Sequence, residues 1–160
     1  MKTITVNASR SYPIYVGTEL LANIGDYIPQ VKSSYTIAIV SDSNVWPIYG
    51  NTVCASLKDR GYDFVHYVLP AGEESKNSEQ YIRILNFLAE NSITRGDLLI
   101  ALGGGVVGDI TGFAAATYLR GVPYIQVPTS LLAMVDSSVG GKTAIDLPAG
   151  KNLVGAFNQP

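Results

Sequence analysis

Apolar and amphipathic runs alternate along this chain, and their periods predict alternating strands and helices. Lys2 to Ala8 and Tyr12 to Val16 are short extended runs, which favours an N-terminal β-hairpin. Tyr35 to Val40 (YTIAIV) is apolar without alternation, as in a strand that is buried on both faces. Ser78 to Glu90 instead repeats apolar residues every three or four positions, which predicts an amphipathic helix.

The same alternation continues through the remaining segments. We predict helices from Thr18 to about Tyr27, from Asn44 to Arg60 and from Val106 to Leu119, and strands from Asp63 to Leu69, from Leu98 to Leu102 and from Tyr124 to Val127. Strands and helices in this order are typical of βαβ units around a parallel sheet. The sequence therefore predicts a Rossmann-like α/β fold, with a mostly parallel sheet flanked by helices and an N-terminal β-hairpin. In such sheets ligands bind beyond the carboxyl ends of the strands.

Composition and charge narrow the function classes. At 160 residues the chain has the size of one domain, and 47% apolar with 15% charged residues is typical of a folded protein. The net charge of −2 gives no bulk attraction to nucleic acid or to an anionic membrane, and no apolar run approaches a membrane span. Cys54 and His66 are the only cysteine and histidine, which excludes an internal disulfide and a Cys/His zinc cluster. We expect a cytoplasmic protein in which His66 is structural and Cys54 belongs to the core.

The strongest chemical signal is a glycine-rich turn within DLLIALGGGVVGDITGF (Asp97 to Phe113). An apolar strand leads into three glycines and then a helix, an order that lets the backbone approach a pyrophosphate at the positive end of the helix. The usual dinucleotide fingerprint adds an acidic residue about 20 positions later, but the next strand ends in PTS, without an acid. Asp42, with Asn44 nearby, follows the YTIAIV strand and is the candidate acid for the ribose; the same position also suits a helix N-cap.

A second loop, PAGEESK (residues 70–76), follows the predicted strand that ends at Leu69. Glu73 and Lys76 lie three positions apart, so one turn can direct both side chains at a common ligand. The alternative is a solvated loop that caps the helix starting at Ser78.

A third segment, PTSLLAMVDSSVGG, places Thr129 and Ser130 directly after a strand and Asp136 among apolar residues. A carboxylate in such surroundings is a functional candidate, whereas an ion pair with Lys142 is the structural alternative. The GKT that follows resembles the end of a phosphate-binding P-loop. However, Asp136 stands where the first glycine of that motif belongs, and Pro148 opposes the helix that should follow. We therefore reject a nucleotide triphosphatase.

Lys142 and Lys151 form the last candidate group. Two lysines in glycine-containing loops can hold a phosphate or a carboxylate as point charges. Isolated lysines are more often solvated, so this pattern alone leaves both interpretations open.

Four segments together resemble one enzyme family. PAGEESK, ALGGGVVGDITGFAAATYLRG, QVPTSLLAMVDSSVGGKTAID and GKNLVGAFNQP are similar, in this order, to signatures of the 3-dehydroquinate synthases, and the resemblance covers essentially the whole chain. It implies the NAD-dependent conversion of 3-deoxy-D-arabino-heptulosonate 7-phosphate into 3-dehydroquinate and phosphate. This is a lyase reaction of the shikimate pathway, which leads to chorismate and the aromatic amino acids. The NAD oxidises a substrate hydroxyl and is regenerated in each turnover, so it stays a cofactor.

The resemblance also implies site residues. The expected NAD contacts are Asp42, Asn44, Ala71, Gly72, Glu73, Glu74, Ser75, Lys76, Gly104, Gly105, Val106, Val107, Gly108, Asp109, Thr129, Ser130, Lys142 and Lys151. The expected catalytic and substrate-facing residues are Asp136, Lys142, Lys151, Asn152 and Arg120. Arg120 is similar to an arginine that reaches the site of the neighbouring subunit in a homodimer.

The chain departs from the family in one respect. Family members continue into a helical C-terminal domain that supplies a divalent metal, zinc or cobalt, through one Glu and two His. We expect residues 1–160 to be the NAD-binding α/β domain, with FNQP at the domain boundary, and we expect this domain alone to be inactive. The alternatives are a metal-dependent polyol dehydrogenase of the same architecture, another sugar-phosphate cyclase, and a nucleotide-binding module without catalytic activity.

Overall fold

The N-terminal segment forms the predicted hairpin. A computed structural model of the chain describes residues 1–28 and 36–160. In it, β1 (Lys2–Asn7) pairs antiparallel with β2 (Ser11–Val16). Most of its side chains are exposed, and Tyr12 is the buried anchor, with its hydroxyl accepting a hydrogen bond from the Gly140 N–H at 2.9 Å.

Four parallel strands form the central sheet, as the sequence predicts. They are β3 (Thr36–Asp42), β4 (Asp63–Leu69), β5 (Leu98–Gly103) and β6 (Tyr124–Pro128), in the order β4-β3-β5-β6. Tyr35, where the first of these strands was expected to begin, lies outside the described residues. The chain moves from β3 to β4 on one side and then to β5 on the other, so the strand order reverses between β3 and β5. Ligands of open α/β sheets bind at such a switch point.

Three helices cover both faces of this sheet. They are α1 (Trp46–Asp59), α2 (Ser78–Glu90) and α3 (Gly105–Thr117). Successive residues of β3 point to opposite faces: Ile37 and Ile39 pack in the cluster that includes α1, whereas Ala38 and Val40 pack in the cluster that includes α2 and α3. Burial on both faces therefore explains why β3 is apolar without alternation.

The predicted helix from Thr18 to Tyr27 is wrong. The segment forms short 3₁₀ turns over Leu21–Asp26, interrupted by the non-helical Asn23, and no side chain caps its start. Gly25 comes too close to α1 for a regular helix with side chains on that face. A Cβ atom there would lie 2.8 Å from the Ser56 carbonyl oxygen, and the Gly25 N–H donates to Ser56 Oγ at 3.1 Å. Tertiary packing thus overrides a weak local preference.

A second hairpin, which has no counterpart among the predicted elements, completes the described fold. Strand β7 (Lys142–Leu147) pairs antiparallel with β8 (Gly150–Phe157). This hairpin packs on α3, where a Cβ atom on Gly112 would lie 2.5 Å from the Thr143 Cγ2 atom, so only glycine permits the contact. A strand that begins at Lys142 agrees with the rejection of a P-loop, which requires a helix there. The helices within residues 1–28 and 36–160 lack the length and hydrophobicity of a membrane-spanning helix.

Candidate functional site

The carboxyl ends of the four parallel strands lie level with one another. In the sheet register Asp42 pairs with Leu69, and Gly103 pairs with Pro128. The Ser41 hydroxyl donates to the Leu102 carbonyl oxygen at 2.8 Å, joining β3 and β5 at the switch point. The loops after all four strands therefore gather at one edge, and these loops contain most of the predicted site residues.

The glycine-rich turn leaves the N-terminus of α3 open. Gly104 precedes the helix in an extended conformation, and no side chain caps the first turn. A Cβ atom on Gly104 would lie 3.4 Å from Ser130 Oγ, and one on Gly105 would lie 3.2 Å from Ser137 Oγ. Without those atoms, the uncapped N–H groups and the positive end of the helix face a space next to the serine hydroxyls. Such a site suits a pyrophosphate.

Two of the other glycine-segment residues face inward. Val107 and Gly108 are buried in α3, and the Gly108 N–H donates to the Gly104 carbonyl oxygen at 3.0 Å. A Cβ atom on Gly108 would lie 2.5 Å from Gln126 Oε1, so this glycine lets α3 pack on β6. Val106, in the first turn, is partly buried. Thr129, after β6, is tied to the turn because its N–H donates to the Gly103 carbonyl oxygen at 3.0 Å.

Asp42 stabilises the turn that leads into α1. Its Oδ1 atom accepts from the N–H groups of Asn44 and Val45 at 2.8 and 2.9 Å. Because the N-cap position of α1 is Val45, Asp42 stabilises the turn before the helix and is not its N-cap, and this turn engages one carboxylate oxygen. The other carboxylate oxygen of Asp42 also lies at the switch point. The turn is therefore compatible with a ribose contact.

The loop after β4 is solvated in part, since Gly72 to Glu74 are exposed and Ser75 and Lys76 are buried, but it does not itself cap α2. Asn77 caps α2 instead, with its Oδ1 atom accepting from the Gln80 N–H at 2.9 Å. Within the loop, Gly72 has a φ of 122°, and a 3₁₀ turn spans Glu73–Ser75, in which Ser75 is buried and Glu74 is exposed. The Ala71 N–H donates to Ser43 Oγ at 3.0 Å and so links this loop to the one after β3.

Lys76 is the buried centre of this region. Its side chain is 5% exposed, forms an ion pair with Asp109 on α3, and donates from Nζ to Asn152 Oδ1 on β8 at 2.6 Å. Burial raises the pKa of the Asp109 carboxyl group, and the Lys76 ammonium opposes that rise. Lys76, Asp109 and Asn152 were predicted as site residues, and the structure brings all three into contact.

Glu73 and Lys151 form a second, exposed pair beside the first. The Lys151 Nζ and Glu73 Oε1 atoms are 3.0 Å apart, and this contact raises the pKa of Lys151. A cleft of about 440 Å³ opens nearby, between residues 73–79 and 146–148. Glu74, Glu79 and Asp146 add carboxylates to its lining. Because these groups repel phosphates, the glycine-rich turn, and not this cleft, is the candidate dinucleotide site.

Asp136 does not lie in the apolar environment expected for it. It is exposed on a π-helical turn, Ala133–Ser137, and its apolar neighbours are exposed too: Leu131 is 76% and Val135 is 70% accessible. The ion pairs among residues 1–28 and 36–160 do not include one between Asp136 and Lys142, so that alternative is also wrong.

The two candidate lysines of the second hairpin lie apart. Lys142 begins β7, and Lys151 lies beside the turn at the start of β8. Along the strand direction, the backbone positions of Lys142 and Lys151 are offset by four residues. This offset is roughly 13 Å at about 3.3 Å per residue. The hairpin thus spreads these cations along its length instead of placing them side by side.

Arg120 projects from a strained segment after α3. Arg120 has a φ of 67° and Leu119 a φ of 50°, a region that non-glycine residues rarely adopt. Arg95 Nε donates to the Leu119 carbonyl oxygen at 2.7 Å and helps to hold this conformation. The predicted helix to Leu119 therefore ends early, at Thr117, and Arg120 is exposed.

One residue of this region, Asp146, was missed. Its Oδ1 atom accepts from the Asn152 N–H at 2.8 Å, and its own N–H donates to the Lys76 carbonyl oxygen at 2.8 Å. A single Asp in KTAIDL carries no sequence signal for this role. Within the described part of the chain, no three His, Cys, Asp or Glu side chains are placed to hold a metal ion, so we derive no metal-dependent step from these residues.

Known proteins resemble this chain in sequence and in fold. A family model described as 3-dehydroquinate synthase N-terminal matches residues 66–160. The 3-dehydroquinate synthase of Clostridium acetobutylicum is 52% identical over 161 aligned positions, which cover 100% of this chain and 45% of the relative. The chain thus spans slightly less than half the length of this relative.

Two solved structures share the fold. A 2-deoxy-scyllo-inosose synthase, complexed with carbaglucose-6-phosphate, NAD⁺ and Co²⁺, has a TM-score of 0.91 and 28% identity over 99% of this chain and 43% of that one. A 2-epi-5-epi-valiolone synthase from Streptomyces hygroscopicus subsp. jinggangensis 5008, with NAD⁺ and Zn²⁺ bound, has a TM-score of 0.82 and 31% identity over 98% and 43%. These likenesses confirm the Rossmann-like fold. With the family match over more than half of its residues, the chain belongs to the 3-dehydroquinate synthase N-terminal family.

Proposed function

We propose that this chain is the NAD-binding domain of a 3-dehydroquinate synthase, which converts 3-deoxy-D-arabino-heptulosonate 7-phosphate into 3-dehydroquinate and phosphate. The observation that carries the proposal is the uncapped N-terminus of α3 behind Gly104 and Gly105, at the switch point of a parallel sheet. Membership of the synthase family supports the reaction, and the NAD⁺ in two structures of similar fold supports the cofactor.

The residues around the turn have separate tasks in binding NAD. The N–H groups of the first turn of α3 contact the pyrophosphate, and Asp42 accepts hydrogen bonds from the ribose hydroxyls with its second carboxylate oxygen. Ser130, beside Gly104, adds a hydroxyl at the edge of the same space. Bound NAD supplies a reversible hydride acceptor for one substrate hydroxyl, and the chain's part in that chemistry is to hold the cofactor in one position.

The buried Lys76 network gives this site its rigidity. Lys76 is held by Asp109 and Asn152, so its ammonium group has a fixed position before any ligand arrives. Fixed charges and donors need no reorganisation when charge develops on a bound substrate, which is the electrostatic advantage of a preorganised site.

The second hairpin and its surroundings form the proposed substrate side. Lys142 on β7 and Lys151 on β8 are proposed to contact the sugar phosphate from separate points of the hairpin. Asp136 is exposed and available to the same ligand. Arg120, exposed on its strained segment, is proposed to reach the site of a second copy in a homodimer.

We further propose that residues 1–160 are the first domain of a longer, cytoplasmic protein. The described surface includes exposed apolar side chains from Leu131 to Val139, and a second domain packed there would remove them from water. That domain would also supply the divalent metal, zinc or cobalt, whose ligands these residues do not provide. Domain 1–160 alone would then bind NAD weakly and would not turn over.

The test is an assay of the full-length protein with the heptulosonate phosphate and a substoichiometric amount of NAD. The proposal predicts many phosphate molecules released per NAD, without net NADH at the nicotinamide absorbance band. A polyol dehydrogenase would accumulate NADH from a polyol and release no phosphate. Failure to release phosphate from this substrate, with release from another sugar phosphate, would assign the protein to a different cyclase.

A further inference from the structure

A bulge interrupts the ladder of the second hairpin at Asp146. Ile145 pairs with Val154 and Leu147 pairs with Gly150, so one residue of β7 (146) faces three of β8 (151–153). Bulges remove backbone groups from the ladder and redirect side chains, and they are frequent beside active sites. The groups lost from the ladder need other partners.

Asp146 forms two hydrogen bonds at the bulge, one through its backbone N–H and one through its side chain. Its N–H donates to the Lys76 carbonyl oxygen at 2.8 Å, which joins the hairpin to the loop after β4. Its Oδ1 atom accepts from the Asn152 N–H at 2.8 Å, which joins the two strands across the bulge. Asn152 has a φ of 56°, a left-handed conformation that Asn tolerates better than most residues but that still needs support.

The bulge turns two side chains toward the loop after β4. Lys151 Nζ lies 3.0 Å from Glu73 Oε1, and Asn152 Oδ1 lies 2.6 Å from Lys76 Nζ. All four of these residues belong to the proposed site, whereas Asp146 forms its hydrogen bonds with the backbone of Lys76 and Asn152 and acts on Lys151 as a nearby charge. Its role is therefore to set their positions.

We propose that Asp146 is a positioning residue, which holds the bulge of β7–β8 so that Lys151 and Asn152 meet Glu73 and Lys76 beside the cofactor. This inference rests on the proposed function for the identity of the ligand. The contact itself needs an acceptor oxygen at Oδ1, which the amide oxygen of asparagine also provides. Asp146→Asn should thus preserve the arrangement, and Asp146→Ala should release it.

The experiment measures lysine reactivity and NAD binding in the same chain. Brief acetylation with acetic anhydride, read for each lysine by mass spectrometry, should show Lys76 protected and the exposed Lys58 of α1 reactive. In Asp146→Ala, loss of one hydrogen bond of typical strength should raise Lys76 acetylation about five- to tenfold. Lys58 should be unchanged, and Asp146→Asn should stay within about twofold of the wild type.

Calorimetry with NAD then separates this inference from the proposed function. We expect the NAD dissociation constant to rise about five- to tenfold in Asp146→Ala and to recover in Asp146→Asn, by the same loss of one hydrogen bond. Equal Lys76 acetylation in the wild type and Asp146→Ala would overturn the positioning role even if NAD binds. No NAD binding by the wild type, with the acetylation difference intact, would instead overturn the proposed cofactor.

Amide exchange in the wild type keeps the inference testable if Asp146→Ala does not fold. The N–H groups of Asp146 and Asn152, which each donate to an oxygen at 2.8 Å, should both exchange more slowly than an open peptide. Exchange of the Asn152 N–H at the rate of an open peptide would contradict the bond to Asp146.

Discussion

Removing the Lys76 ammonium should destabilise the protein much more than removing the Lys151 ammonium. Both lysines pair with a carboxylate, but the side-chain exposures are 5% and 19% for Lys76 and Asp109, against 70% and 48% for Lys151 and Glu73. Breaking a buried pair leaves an uncompensated charge and costs about 3–5 kcal/mol. Since Asp109 retains some contact with water, we expect roughly 2–4 kcal/mol for Lys76→Met. The exposed pair should contribute much less, because water screens its two charges.

Urea unfolding, followed by circular dichroism and by Trp46 fluorescence, measures this difference. At about 1–3 kcal/mol per M for the urea dependence, Lys76→Met should lower the midpoint by roughly 1–2 M. Lys151→Met is the matched control and should shift it only slightly. The double variant Lys76→Met/Asp109→Asn should regain part of the loss, because it removes the unpaired carboxylate. The hydrogen bond to Asn152 stays lost. Equal midpoints for the two lysine variants, or no recovery in the double variant, would show that burial of the Lys76–Asp109 pair does not stabilise the fold.

Two further predictions concern the second hairpin and the residues that pack on it. A Cβ atom on Gly155 would lie 2.0 Å from the Thr143 carbonyl oxygen, so Gly155→Ala should lower the free energy of unfolding by at least about 1–3 kcal/mol. The neighbouring, partly exposed Val154 is the control, and a urea midpoint no lower for Gly155→Ala than for Val154→Ala would contradict the close approach. Burial raises the pKa of Tyr124, whose hydroxyl donates to the Asn158 carbonyl oxygen at 2.9 Å, to about 12. The folded pKa of Tyr124 lies above the unfolded value of about 10. The stability contributed by its buried, neutral hydroxyl should therefore be complete below pH 10 and lost as the pH rises through about 12. Absorbance of tyrosinate should show a late-ionising group that is absent from Tyr124→Phe; ionisation of every tyrosine near pH 10 would contradict its burial.

Elements with a strong local period were predictable from the sequence. The helix Ser78–Glu90 and the strand Asp63–Leu69 have the predicted bounds, since each carries its own apolar pattern. The glycine-rich turn was also predictable, because its strand, glycines and helix are contiguous. The helix predicted from Thr18 does not form as expected, because Gly25 packs against α1. A contact between distant segments leaves no pattern in the local sequence.

The site contacts depend on residues that are distant in the sequence. Lys76 meets partners 33 and 76 positions away, so its burial could not be inferred from PAGEESK alone. The reverse holds for Asp136: its apolar neighbours suggested burial, but they face outward on a π-helical turn. Asp146 was missed because its role arises from a bulge, which exists only when β7 and β8 pair.

The most direct test of the account is calorimetric titration of the chain with NAD, compared between the wild type and Gly105→Val. The account predicts saturable binding at one site in the wild type, with a dissociation constant in the millimolar range or below. A side chain at position 105 would start 3.2 Å from Ser137 Oγ and fill the space before the N-terminus of α3. Gly105→Val should therefore weaken binding at least tenfold. No binding by the wild type at millimolar NAD, or equal affinity in the variant, would contradict the claim that this turn is the cofactor site.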